Sequence, residues 1–150
     1  MNGNTCAQVY SNGSFTKVFP MPDKTGARGG QTLTDFADDV GIPDTLVMDL
    51  APEQAGKHTE MQTEARRLRV RIRFTEKGRS EQNHTAEGEI GQLKRRWKHR
   101  MTTRNVPRCL WDYGLMHEAE VLSILARGKD QVPGLEKVLG QTIDISEYLD

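Results

Sequence analysis

Thr45-Leu46-Val47-Met48-Asp49 is the segment on which the fold turns. The apolar run follows Pro43 and stops at Asp49. Its shortness and lack of alternation predict a strand buried on both faces, as in a parallel sheet with helices on either side. Upstream, Leu33, Phe36, Ala37 and Val40 follow helical spacing, so a helix is expected over about Gly30 to Val40, with Gly41 at the left-handed C-terminal cap. Before it, Gln8 to Ser11 and Phe15 to Phe19 flank Asn12-Gly13 and read as a β-hairpin, with Pro20 and Pro22 stopping the second strand. Downstream, a second helix is expected over about Thr59 to Leu68. A strand follows in which Val70, Ile72 and Phe74 alternate with Arg71 and Arg73. A third helix runs from about Asn83 to Met101, and Pro107 opens a fourth that stops at Gly128. The tail from Pro133 to Asp150 holds a short turn of helix and an extended end. The order is ββ, then α-β-α-β-α-α, which defines an α/β fold class.

At 150 residues the chain has one small domain's length. It is polar for its size, with 35% hydrophobic residues and a mean hydropathy of −0.68, against about 45–50% apolar residues in ordinary domains. No apolar run reaches the roughly 18 residues of a membrane span, and no signal peptide is visible. A nuclear or cytoplasmic location without membrane contact is therefore expected. The zero net charge conceals a division: 14 of the 21 basic residues but only 4 of the 21 acidic ones lie between Arg66 and Arg108. A basic middle sits between two acidic ends, and the middle suits a polyanionic partner.

Asp49 stands where reactive groups gather in open α/β sheets, just past the carboxyl end of a strand. On its own, an Asp there more often begins a loop. Glu87 adds to it. On the third helix Ala86, Ile90, Leu93, Trp97 and Met101 form one apolar stripe, and Glu87, Gly91, Lys94 and Lys98 fall along its margin. A divalent metal held by Asp49 and Glu87 could activate an attacking oxygen on a phosphodiester, with Lys94, Arg95 and Lys98 holding backbone phosphates. The competing reading gives Glu87 only a macrodipole role and makes Lys94 to Arg100 a solvated face. His58, His84, His99 and His117 lack zinc-ligand spacing, His117 and Glu118 lack a metalloprotease partner, and Gly26, Gly29 and Gly30 lack the P-loop ending. Cys6 and Cys109 make no disulfide framework. Trp97, Trp111 and Tyr113 are expected in the core.

Taken in order, these residues resemble the integrase core of copia-type (Pseudoviridae) retrotransposons. Gly41-Ile42-Pro43 and Thr45 to Asp49 are similar to the strand bearing the family's second catalytic Asp, and Thr59-Glu60-Met61 to the start of the next helix. Gln82-Asn83-His84-Thr85-Ala86-Glu87 resembles the signature ending in the catalytic Glu, with His84 in place of a glycine. Trp111 to Ala126 looks like the tryptophan-containing helix after it, and Gly140 to Leu149 like the polyprotein tail. The resemblance implies a ribonuclease-H-like integrase core and a polynucleotidyl transferase that joins DNA ends using Asp, Asp, Glu and two Mg²⁺. Of that triad this sequence matches Asp49 and Glu87. The first Asp belongs to a central strand before the hairpin, where this chain has Met1-Asn2-Gly3-Asn4-Thr5. The expectation is thus a truncated core over residues 1–128, lacking its first strand, and a post-core tail over 129–150. Such a fragment is expected to bind DNA, to be catalytically silent, and to self-associate through unpaired strand edges. A domesticated nucleic-acid-binding module without catalysis and an inert relic are the alternatives.

Overall fold

The computed structural model describes residues 3–49, 59–75, 84–125, 130–142, 144 and 146, without the side chains of Asp49 and Thr85. In chain order the elements are β1 (Cys6–Ser11), β2 (Thr16–Met21), α1 (Gly26–Asp39), β3 (Thr45–Asp49), α2 (Glu60–Arg67), β4 (Arg71–Thr75), α3 (His84–Thr103), a 3₁₀ turn (Arg108–Leu110), α4 (Trp111–Ile124) and α5 (Gly134–Leu139). The strands form two ladders among the described residues, β1 with β2 and β3 with β4. The chain divides into two compact units, one holding residues 9–19 and 86–150, the other residues 2–8 and 20–85.

In the second unit β3 and β4 run parallel, with Leu46 opposite Ile72 and Met48 opposite Phe74. The parallel pairing is as expected, but the double burial of β3 is not. Val47 is 47% exposed and Phe74 36%. Among the described residues each strand has one partner and so keeps one unpaired edge. One face of the ladder carries the exposed Thr45, Val47, Arg71 and Arg73, and the other carries Leu46, Met48, Ile72 and the partly exposed Phe74.

α1 and α2 pack on one another. α1 begins four residues before its expected start because Asp23 organises the entry: its carboxylate accepts from the Thr25 backbone N–H (3.1 Å) and hydroxyl (2.7 Å). The glycines of its first turns serve close approach rather than a loop. A Cβ on Gly30 would lie 3.3 Å from the Glu60 carbonyl oxygen, so α2 meets a side-chain-free face there. Gly41, just past the helix, has φ +122°, the positive φ expected of it. The Thr59 side chain caps α2 by accepting from Gln62 N–H at 3.3 Å.

In the first unit, the core is Leu93 of α3 with Ala119 and Leu122 of α4, and Tyr10, Phe15 and Val18 of the hairpin. Tyr10 and Phe19 meet edge-on at 5.9 Å. Ser123 fixes β2 to α4: its Oγ accepts from Thr16 N–H (2.8 Å) and lies 2.9 Å from the Thr16 carbonyl, to which it can donate. That serine covers part of an open strand edge. β2 also continues through Pro20 to Met21, correcting the stop expected there. Each strand of a two-stranded sheet is an edge, and proline is tolerated where its missing donor faces outward. Tyr113 is 52% exposed rather than in the core, because it stands one residue past the buried Asp112 and so turns about 100° away from the buried side of α4.

Candidate nucleic-acid interface

α3 runs for 20 residues, long enough to present separate faces along about 30 Å. Its apolar stripe buries Leu93 and places Trp97 against α4, where the indole N–H donates to the Trp111 carbonyl at 3.1 Å. Glu87 lies in the first turn and is exposed. Lys94, Arg95 and Lys98 are all exposed as well, and the spacing of 87, 94 and 98 lines their Cα atoms along one margin of the helix. The four residues therefore share one solvent-facing strip, in which the ammonium and guanidinium groups outnumber the carboxylate.

Asp49 closes β3 by its backbone, and its carboxylate lies outside the described residues. Asp49 and Glu87 belong to different units, and each is described within its own. Among the described residues no three His, Cys, Asp or Glu side chains gather as a metal-binding group. Mg²⁺ is usually held by one or two carboxylates, with waters completing its octahedron; of the predicted pair, Glu87 is the carboxylate whose side chain is described, and it is exposed. Gln82 and Asn83 of the signature also lie outside the described residues; His84 opens α3.

The opposite margin of α3 holds an ion-pair group that the sequence reading did not assemble. Glu118 of α4 is 1% exposed, yet it carries a charge among Leu115, Ala119 and Leu122. Arg96 reaches its Oε2 through Nε at 3.0 Å, and Arg100 reaches its Oε1 through Nε. A buried carboxylate survives only with such partners. A signal existed: Glu118 interrupts the apolar stripe of α4, and Arg96 and Arg100 stand one helical turn apart.

No protein-family model matches the chain, and no curated protein does. Solved structures do. A chain of the simian T-cell lymphotropic virus intasome in complex with PP2A regulatory subunit B56 gamma superposes with a TM-score of 0.70 at 17% identity, over 87% of this chain and 46% of that one. The present chain spans about half the length of that protein. The catalytic core domain of BIV integrase gives 0.68 at 13% identity, covering 89% of this chain and 84% of that one. The HTLV-2 integrase catalytic core domain in complex with magnesium gives 0.64 at 12%, covering 89% and 91%. The fold is that of an integrase catalytic core. It is α/β and ribonuclease-H-like, as expected, and identities this low speak for the fold alone. Among the described residues no helix is long and apolar enough to cross a membrane.

Proposed function

We propose that this chain is a piece of a retroelement integrase core, copia-type by its motifs, that holds nucleic acid on α3. One observation carries the reading: Lys94, Arg95 and Lys98 are exposed together on the helix that bears Glu87, in a chain with an integrase-core fold. Lysine and arginine so placed position phosphates without reading bases. In the parent protein Asp49 and Glu87 would hold Mg²⁺ for DNA joining. The motif match covers Asp49 and Glu87 of the catalytic triad, which supports reading these 150 residues as silent in strand transfer. A nuclear or cytoplasmic setting follows from a DNA partner.

Self-association through unpaired strand edges is a second part of the proposal, supported by the single partner that β3 and β4 each have among the described residues and by the exposed Val47 and Phe74, one on each face of the ladder. Electrophoretic retardation of duplex DNA tests the first part. At low salt the protein retards DNA, and the Lys94→Glu, Arg95→Glu, Lys98→Glu triple variant does not, whereas Asp49→Asn retards it as well as wild type. Mg²⁺-dependent joining by the purified chain would overturn the silent-core reading, and unaltered DNA mobility would leave the inert relic.

A further inference from the structure

The cationic margin of α3 opposite Lys94 and Lys98 has its own architecture. Arg96 and Arg100 on the helix and Arg104, just past its end, recur at four-residue spacing, with His99 and Thr103 beside them. With Glu118 of α4 they line a groove of about 490 Å³, and all six belong to one compact unit.

Glu118 forms the buried wall of this groove and spends both carboxylate oxygens on two guanidiniums. One negative charge thus fixes two positive ones, and the trio keeps a net positive charge. Each arginine reaches its carboxylate oxygen through Nε, and a guanidinium carries further N–H donors on its terminal amino groups. Arg104 and His99 are exposed, and among the described residues no carboxylate pairs with Arg104. Three arginines against one glutamate leave the groove two charges positive with His99 neutral.

Stacked like charges on one helix face repel, and an added anion relieves that repulsion. Guanidinium forks match the spacing of phosphate oxygens and bind them by paired, charge-assisted hydrogen bonds. The volume falls within the roughly 300–1,000 Å³ typical of small-ligand pockets, while the polar lining lacks the aromatic walls that an apolar ligand would need. We propose that this groove binds a compact phosphate-bearing anion. Arg104 and His99 supply the outer contacts, Arg96 and Arg100 are held ready by Glu118, and Glu118 acts as a positioning residue. The inference stands apart from the Lys94–Lys98 strip, so either can fail alone.

Isothermal titration of the full chain with inorganic pyrophosphate in dilute chloride buffer provides the test. The expected result is saturable binding that Arg104→Gln and His99→Ala each weaken by about five-fold or more, the loss of one charge-assisted hydrogen bond. Arg71→Gln, which removes an exposed cation on β4, leaves it unchanged. Both groove variants alter exposed side chains and leave the Glu118 pairing in place. A short DNA duplex added in excess distinguishes the source: displacement of pyrophosphate assigns the phosphate to a nucleic-acid backbone, and persistence assigns it to a free anion, either upholding the phosphate chemistry. Absence of saturable heat, or equal weakening by Arg71→Gln, would overturn the proposal.

Discussion

The α3–α4 pair and the β3–β4 ladder solve the same burial problem with different success. α3 and α4 close over Leu93, Ala119 and Leu122 and satisfy a buried charge between them. The ladder has two strands, and Val47 and Phe74 remain partly in water. Helices bring their own hydrogen bonds and need only a packed stripe, whereas a parallel strand needs neighbours on both edges and cover on both faces. The helical pair is therefore expected to hold most of the stability of its unit, and the ladder to be the place where the chain opens or recruits another copy.

The sharpest contrast comes from a matched pair of truncations. Leu122→Ala, at a fully buried site, should cost about 2–5 kcal/mol in urea unfolding, while Val47→Ala, at a half-exposed one, should cost under about 1 kcal/mol. Equal losses would erase the distinction. Next in size is the charge trio. Replacing Arg96 and Arg100 together by Gln strands the Glu118 carboxylate, which for a fully buried charge costs about 3–5 kcal/mol; both arginine side chains are more than a third exposed, so the expected loss is nearer about 2 kcal/mol. Ser123→Ala leaves Thr16 N–H without this partner and should cost about 1–3 kcal/mol, with faster hydrogen exchange at that amide. Unchanged exchange there would remove Ser123 as the edge cover.

The smallest effect concerns pH. In the other unit the Arg67 side chain, and after it the Thr34 hydroxyl, hold the Glu64 carboxyl below its ordinary range. A carboxyl with a folded-state pKa below its unfolded value contributes stability above the unfolded pKa of about 4.3, and loses it as pH falls through the folded value. Acid titration of stability below that point should be shallower in Glu64→Gln than in wild type, by a small margin because the pair is exposed. An identical acid limb would dismiss the contribution.

Local chemistry was legible in the sequence wherever one residue type leaves few options. Asn12-Gly13 marked the hairpin, and Thr45 to Asp49 marked a strand that forms with those bounds. The α3 stripe around Leu93 and Trp97 was likewise readable from its period. What escaped was pairing at a distance. The burial of β3 depends on how many strands flank it, which the run Leu46-Val47-Met48 does not encode. The partnership of Glu118 with Arg96 and Arg100 depends on how α3 crosses α4, and neither helix declares it alone. On the predicted site, the structure places Glu87, Lys94, Arg95 and Lys98 on α3, each exposed, and ends β3 at Asp49.

Fluorescence anisotropy of a labelled DNA duplex across a series of salt concentrations tests the central claim most directly. If the α3 strip neutralises phosphates, log affinity falls linearly with log salt, and charge reversal at Lys94, Arg95 and Lys98 flattens that slope by roughly 3 × 0.9 while abolishing most binding. An affinity independent of salt, or a triple variant that binds with the wild-type slope, would contradict the account.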